Sequence, residues 1–162
     1  MSISLVRVDF RLIHGQVITR WLRQFDINRI VTIDTALSKD PFMQEVFKMA
    51  VPKGVKLDIY STSEAVEQQK KGSFEKDRIM LLFKSVEELF AASQEGLTLN
   101  EVQIGGLGGG PGRKAVNNAI TLDDSDANML LEMEKQGTEV YFQTTPDYPS
   151  ETLTNAVKKL NE

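Results

Sequence analysis

The sequence predicts an α/β fold: a doubly wound, mostly parallel seven-stranded sheet with helices on both faces, in a single domain spanning residues 1–162. Two observations carry this prediction. Short apolar runs alternate with longer runs of helical periodicity from one end of the chain to the other. The length suffices to bury a sizeable core, and no shift of composition or linker divides the chain.

The seven predicted strands are short apolar runs bounded by turn residues. The fourth is the most apolar, and we expect it at the centre of the sheet, where both faces of a strand are covered. In chain order, the predicted strands span residues 3–8, 30–34, 55–60, 78–83, 102–104, 118–122 and 140–144.

The predicted helices begin at polar capping residues and end near glycine. The first covers residues 12–25 and places Trp21 on its apolar side, so we expect this side chain in the core. The second carries an apolar stripe made of Phe42, Met43, Val46, Phe47 and Ala50. The expected starts of the later helices are Asp40-Pro41, Ser61 with Glu64, Ser85 with Glu88, Thr121 with Asp124, and Ser150.

Composition excludes several classes of function. The net charge is −4 and the isoelectric point is about 5.2, so we expect no nucleic-acid partner. The chain has no cysteine, which excludes disulfides, iron–sulfur clusters and thiol nucleophiles. Its single histidine excludes a histidine-rich metal site, and we expect no metal and no other cofactor. We find no apolar run of about 20 residues, the length that a membrane span requires.

The loop after the first predicted strand carries the strongest site candidates. In open α/β sheets, ligands bind at the carboxyl ends of the strands. This loop holds His14, with Asp9 and Arg11 before it and Gly15 and Gln16 at the start of the next helix. Helix N-termini and arginine bind phosphate, and a neutral imidazole is a nucleophile. A hydrogen-bonding or surface role for the lone histidine stays open.

Weaker candidates follow the second and fourth strands. Asp34, Lys84 and Ser85 would lie at the same edge of the sheet. Asp34 and Ser85 also suit capping roles, and Ser85 could bind phosphate as well. Thr144 and Thr145 would add two hydroxyl groups at the end of the last strand.

A glycine-rich stretch at residues 104–113 reads I-G-G-L-G-G-G-P-G-R. Its spacing matches neither the Walker loop nor the dinucleotide-binding fingerprint, which disfavours a nucleotide-dependent kinase. One interpretation is a tightly turned structural loop. The other is a mobile loop in which Gly108 and Arg113, with Lys114, contact a partner or the phosphate.

Residues 6–21 read V-R-V-D-F-R-L-I-H-G-Q-V-I-T-R-W. This segment closely resembles the active-site segment of the enzyme IIB components of the mannose–fructose–sorbose family of the phosphotransferase system. The similarity continues through Asp34, residues 50–55, the I-G-G-L segment and residues 137–146. Two positions depart from the family pattern: Thr35 stands where a second acid is common, and the run 108–110 is richer in glycine.

The resemblance implies a phosphocarrier, a protein-Nπ-phosphohistidine–sugar phosphotransferase. A IIA component, either a separate polypeptide or a domain outside the given sequence, would phosphorylate His14 on Nδ1. The group would then pass to a sugar delivered by the membrane components IIC and IID. Arg11 would bind the phosphoryl oxygens and Asp9 would orient the ring or Arg11. The protein would be cytoplasmic, recruited to the inner face of the membrane through IIC and IID, and a homo-oligomer stays open.

One alternative of a different class remains at this point. The same sheet could form a non-enzymatic module that binds a phosphorylated ligand, or a regulatory module, with His14 acting only through hydrogen bonds.

Overall fold

The computed structural model describes residues 3–162 and is built around a seven-stranded sheet, which confirms the predicted fold class. The strands are β1 (Ile3–Asp9), β2 (Arg29–Ile33), β3 (Lys56–Tyr60), β4 (Ile79–Phe83), β5 (Glu101–Gly106), β6 (Lys114–Asn117), β7 (Ile120–Leu122), β8 (Glu139–Phe142) and β9 (Glu151–Thr152). The helices are α1 (Gly15–Gln24), α2 (Pro41–Ala50), α3 (Thr62–Lys70), α4 (Val86–Gln94), α5 (Asp124–Lys135) and α6 (Leu153–Leu160).

The sheet has the order β3-β2-β4-β1-β5-β8-β9. All neighbouring pairs are parallel except β8 and β9. β1 lies between β4 and β5, so the loop after β1 emerges near the middle of the carboxyl edge. This is the position that the sequence analysis marked for a ligand site.

Two strands differ from the prediction although the total is seven. Residues 118–122 do not join the sheet: β6 and β7 pair with each other as a separate antiparallel hairpin. The seventh strand is instead β9, which pairs antiparallel with β8 where the sequence predicted the start of a helix at Ser150. A strand of two residues has no periodicity for a sequence pattern to reveal.

The helix caps follow the predictions at Asp40, Ser61 and Ser85. Three helix starts differ. Leu12 has a φ of +57° and His14 is extended, so α1 begins at Gly15 instead of residue 12. The start of α5 is capped by Asp123, because Thr121 belongs to β7, and that of α6 by Thr152, because β9 precedes it.

The helices cover the two faces of the sheet unequally. Buried side chains of α1 pack on one face with Leu5, Ile30, Met80 and Leu82. Buried side chains of α3, α4, α5 and α6 pack on the other face with Val31, Leu81 and Ile104, among others. Every residue of β4 is buried, as its predicted central position requires.

Helix α2 is less covered than its apolar stripe suggests. None of its residues is buried, and Phe42 and Met49 are 66% and 86% exposed. Phe47 is partly buried against the core beside α1. In residues 3–162 no helix is long and apolar enough to cross a membrane.

We predict that Leu81→Ala lowers the free energy of unfolding by about 2–5 kcal/mol, because the side chain is fully buried in the central strand and its loss leaves a cavity. Met49→Ala, at an exposed position of α2, should change stability by less than about 0.5 kcal/mol. Urea denaturation followed by circular dichroism measures both. Equal losses in the two variants would contradict the assigned core.

Candidate functional site

The loop between β1 and α1 is held in a fixed shape by its own backbone. Phe10 N donates to Gly106 O at 3.0 Å, and Leu12 N donates to Asp9 O at 2.9 Å. The left-handed backbone at Leu12 turns that side chain and Ile13 into the core, while Phe10 and Arg11 stay exposed. His14 then caps α1 with an extended backbone and without a side-chain capping bond. Its ring is therefore available to other partners.

The imidazole of His14 is fixed by a buried carboxylate. His14 Nε2 lies 2.9 Å from Asp9 Oδ2, and the Asp9 side chain is fully buried while that of His14 is 20% exposed. Asp9 Oδ1 accepts from Arg11 N at 3.1 Å and Arg11 Nε at 3.4 Å. Burial alone raises the pKa of Asp9, but the hydrogen bond from His14 and the charge of Arg7 outweigh it and hold this pKa below its ordinary value.

The charge state of Asp9 determines the tautomer of His14. An ionised carboxylate accepts hydrogen bonds and donates none, so Nε2 of the ring carries the hydrogen. In the neutral imidazole Nδ1 then holds a lone pair. Nδ1 has no hydrogen-bond partner among residues 3–162. The arrangement can therefore offer Nδ1 as a nucleophile.

Behind Asp9 lies Arg7, whose side chain is fully buried. Arg7 Nη2 donates to Asp9 Oδ2 and to Thr144 O, both at 3.1 Å. Arg7 Nη1 donates to Gln143 O at 3.2 Å and also to Oε1 of Gln103. Burial lowers the pKa of Arg7, and the neighbouring Asp9 carboxylate opposes that effect. This guanidinium thus ties the carboxyl ends of β1 and β8 together.

Trp21 completes the support for this buried charge. It is buried as predicted, and its indole Nε1 donates to Thr144 O at 2.9 Å. The guanidinium carbon of Arg7 lies 5.5 Å from the centre of its ring, within range of a cation–π interaction. The hydroxyl groups of Thr144 and Thr145 donate to Asn118 O and to Asp147 Oδ1.

Two glycines at the end of β5 make room for these charges. A Cβ at Gly105 would lie 2.0 Å from Arg7 Cζ, and a Cβ at Gly106 would lie 3.0 Å from Asp9 Oδ1. No side chain can occupy Gly105 unless the guanidinium moves. The start of the glycine-rich stretch is therefore structural, in agreement with the tightly turned interpretation.

Three of the residues predicted to bind phosphate, Arg11, Gly15 and Gln16, are exposed next to His14 in the chain. The Arg11 side chain is 39% exposed and lies over the Phe10 ring, 5.2 Å from its centre. In residues 3–162 its two terminal nitrogens have no hydrogen-bond partner. Gly15 and Gln16 are exposed in the first turn of α1, where backbone N–H groups point out of the helix.

Asp34 and Ser85 serve as caps. Asp34 Oδ1 accepts from Leu37 N at 3.0 Å, and Ser85 Oγ accepts from Glu88 N at 3.1 Å. Exposed Lys84 lies between them and Arg11, lining a cavity of about 250 Å³ with Asp34 and Arg11. Ser85 lines a different cavity of about 450 Å³, whose walls include neither His14 nor Arg11. Lys84 lines both cavities.

Arg113 is bonded to acceptors within the protein. Its Nε donates to Gly108 O at 3.2 Å and Thr121 Oγ1 at 2.9 Å. Its Nη1 and Nη2 donate to Asp123 and Asp126 at 3.1 and 2.6 Å. Protein acceptors thus occupy every nitrogen of the guanidinium. Arg113 joins the β6–β7 hairpin to the start of α5.

Gly108 packs against the loop of the histidine. A Cβ there would lie 3.3 Å from Phe10 Cε2. Phe10 is 40% exposed and sits between Gly108 and Arg11. The sequence analysis assigned no role to this aromatic ring. An exposed aromatic residue at the start of a loop cannot be recognised from the pattern of one sequence.

The most important residue that the site prediction omitted is Arg7. The sequence did point to Arg7, because a charged residue inside a strand that is covered on both faces must be paired with another group. Among residues 3–162, no group of three or more histidine, cysteine or acidic side chains could hold a metal ion.

We compared the chain with known protein families, curated proteins and solved structures. Residues 3–162 match the family described as the sorbose subfamily IIB component of the phosphotransferase system. The chain belongs to this family of IIB components. It is 28% identical to the sorbose-specific EIIB component of Klebsiella pneumoniae, over the whole of this chain and 97% of that protein.

Two further comparisons, one of sequence and one of structure, agree with this family. The chain is 25% identical over its full length to the mannose-specific EIIAB component of Escherichia coli, but it spans only 50% of that protein. The crystal structure of manxB from Thermoanaerobacter tengcongensis superposes with a TM-score of 0.90 at 34% identity, covering 97% of this chain and 95% of that one. This IIB component is accordingly a transferase of a sugar-transporting phosphotransferase system.

Replacing Gly105 tests the room that the buried arginine needs. We predict that Gly105→Ala destabilises the fold by about 1–3 kcal/mol, because the added Cβ displaces the guanidinium of Arg7. Gly109→Ala is the matched control: no atom lies within 4 Å of the Cβ position, and its φ lies outside the left-handed region. Thermal unfolding of both variants measures the difference, and equal melting temperatures would contradict the packing described.

The pKa of Asp9 predicts how stability depends on pH. The folded-state pKa lies below the ordinary 3.8, so the ionised carboxylate stabilises the fold above about pH 4 and this contribution is lost as the pH falls through the folded-state pKa. Asp9→Asn should therefore be less stable than wild type at pH 7, with a gap that narrows below about pH 4. Denaturant titrations from pH 7 to pH 2.5 measure this gap. A gap that is constant across the range would contradict the assignment.

Proposed function

We propose that this IIB component receives a phosphoryl group on Nδ1 of His14 from the phosphohistidine of a IIA component. It then passes the group to a sugar delivered by the membrane components IIC and IID. The observation that carries the proposal is the bond between His14 Nε2 and the buried carboxylate of Asp9, which leaves Nδ1 as the nitrogen with a lone pair. The similarity to proteins described as sorbose-specific EIIB and mannose-specific EIIAB supports the partners and the sugar class.

In the first transfer the lone pair of Nδ1 attacks the phosphorus in line with the donor nitrogen. The new N–P bond forms as the N–P bond of the donor breaks, and the donor imidazole keeps the electron pair. Positive charge develops on the ring of His14 because its Nε2 remains protonated. Asp9, at 2.9 Å and ionised, stabilises that charge without moving.

The phosphoryl oxygens need donors on the exposed side of the ring. The terminal nitrogens of Arg11 can bind two oxygens at once. The N–H groups of Gly15 and Gln16 begin α1 and add the positive end of the helix dipole. Of the remaining candidates, Lys84 supplies a positive charge beside Arg11 at the cavity that both line.

In the second transfer a sugar hydroxyl attacks the phosphorus as the N–P bond of His14 breaks. Nδ1 recovers the electron pair, the ring leaves neutral, and the hydroxyl proton passes to solvent. Since the sugar arrives through the membrane, we propose that the protein works in the cytoplasm and docks on the inner face of the membrane through IIC and IID. The exposed side of His14 must then meet two partners in turn, first the IIA donor and later the membrane complex.

The alternative is a non-enzymatic module that binds a phosphorylated ligand at the same loop. The two functions differ in covalency. A carrier gains a phosphoryl group on His14 and loses it to an acceptor, whereas a binding module shows saturable affinity without a change of covalent mass.

We predict that incubation with phosphoenolpyruvate, enzyme I, HPr and a cognate IIA adds one phosphoryl group to the wild type and none to His14→Gln. Intact-mass spectrometry under non-acidic conditions measures the addition. Because His14 is the only histidine of the chain, ³¹P and ¹⁵N NMR then identify the modified nitrogen without a second candidate. The signal should be that of Nδ1-phosphohistidine.

The control is the charge state of the IIA component, which must be shown phosphorylated in the same mixture. An unmodified wild type beside a phosphorylated cognate IIA would contradict the carrier function and favour the binding module.

A further inference from the structure

We propose that Arg7 is a positioning residue that selects the nitrogen of His14 that is phosphorylated. It would do so by keeping Asp9 ionised, so that the hydrogen of the imidazole stays on Nε2. The inference deepens the function proposed above and rests on it for the transfer step, but the position of the hydrogen is measurable without any transfer.

The first observation is that Arg7 and His14 share one atom. Both Arg7 Nη2, at 3.1 Å, and His14 Nε2, at 2.9 Å, contact Oδ2 of Asp9. The side chains of Arg7 and Asp9 are both fully buried. A change in the charge of Arg7 therefore acts directly on the oxygen that fixes the ring.

The second observation is that the guanidinium cannot take another position. Its two terminal nitrogens are held by Gln103 and by the carbonyl oxygens of Gln143 and Thr144, while Nε is buried without a hydrogen-bond partner. Trp21 lies against the group. Gly105 leaves no free space on the side of β5. Gln103 is itself oriented by a hydrogen bond from its Nε2 to Tyr141 Oη at 3.2 Å. These contacts hold the positive charge of Arg7 next to Asp9.

The third observation concerns the other charges near Asp9. In the described part of the chain, the groups that face it are Arg7 on its own strand and Arg11 and His14 from the loop. On the side of β5, Asp9 packs against Gly106, which has no side chain. On the side of β8, Tyr141 does not contact Asp9 and acts on it only through Gln103 and Arg7. Without Arg7, the remaining permanent cation is Arg11, which is partly exposed and 3.4 Å away.

Loss of Arg7 therefore changes the direction of the bond to the ring. A fully buried carboxyl group with weak compensation takes up a proton from solvent. The neutral carboxyl then donates its O–H to Nε2, so the hydrogen of the ring moves to Nδ1. Nδ1 no longer has a lone pair, and attack on phosphorus at this nitrogen stops until the carboxyl ionises at higher pH.

The test uses protein labelled with ¹⁵N-histidine, in which His14 gives the only histidine signals. The variants are Arg7→Met, which removes the charge, and Arg7→Lys, which keeps it with a single nitrogen. The matched control is Arg29→Met. Arg29 is also buried, pairs with Asp58 and Asp77 and lies over Phe74, but it stands at the start of β2, at the opposite edge of the sheet.

We expect wild type, Arg7→Lys and Arg29→Met to carry the hydrogen on Nε2 in the neutral ring, and Arg7→Met to carry it on Nδ1. With a phosphorylated IIA, the rate of phosphorylation of Arg7→Met at pH 7 should fall at least about tenfold. It should recover as the pH is raised, while Arg29→Met loses stability and keeps its rate. A residue that only stabilised the fold would move neither the tautomer nor the pH profile.

A folded Arg7→Met with its hydrogen on Nε2 and wild-type transfer would overturn the inference. If this variant does not fold, Gly105→Ala decides, because it displaces the guanidinium and keeps its charge in the chain. A wild-type tautomer in that variant overturns the inference, and a population with hydrogen on Nδ1 supports it. Absence of phosphorylation in the wild type would contradict the proposed function alone, since the NMR result stands without it.

Discussion

The buried carboxylate of Asp9 is the interaction on which the functional end of the molecule depends. A fully buried carboxylate is costly unless it is paired and hydrogen-bonded. Here Arg7, the backbone and side chain of Arg11, and His14 together provide those partners. Their net effect is a pKa below the ordinary value despite burial. The shape of the loop, the orientation of the imidazole and the position of the buried guanidinium all follow from satisfying this one group.

The surrounding fold is arranged so that the ion pair fits. β1 lies between β4 and β5, which excludes water from both sides of its end. β5 then ends in two glycines because the guanidinium and the carboxylate occupy the space that side chains would need. The segment just after β8 supplies the carbonyl oxygens of Gln143 and Thr144, and Trp21 on α1 packs against the guanidinium. The first two glycines of the glycine-rich stretch at residues 104–113 are thus required by close packing.

Sequence reasoning succeeded where a residue pattern has a single physical cause. The fully apolar β4 is central, capping residues at Ser61 and Ser85 begin their helices, and the loop carrying His14 lies at the carboxyl edge of the sheet. It failed where tertiary contacts decide. β9 exists because it pairs with β8, and residues 118–122 lie outside the main sheet because β7 pairs with β6. A charged residue inside a covered strand pointed to Arg7. Its partners Gln103, Gln143 and Thr144 are about 100 or more residues away in the sequence, so no local pattern could identify them.

The same geometry suits a carrier that must both accept and release a phosphoryl group. Nε2 carries its hydrogen toward Asp9 before transfer, and it would do so after transfer as well, so the ring needs no rotation between the two states. Interactions that are already in place cost no reorganisation at the moment of reaction. The donors proposed for phosphate, on Arg11 and the first turn of α1, are exposed, so a partner could reach them. Under the proposed function, the separation of a buried, permanent half of the site from an exposed half would allow one histidine to serve two successive transfers.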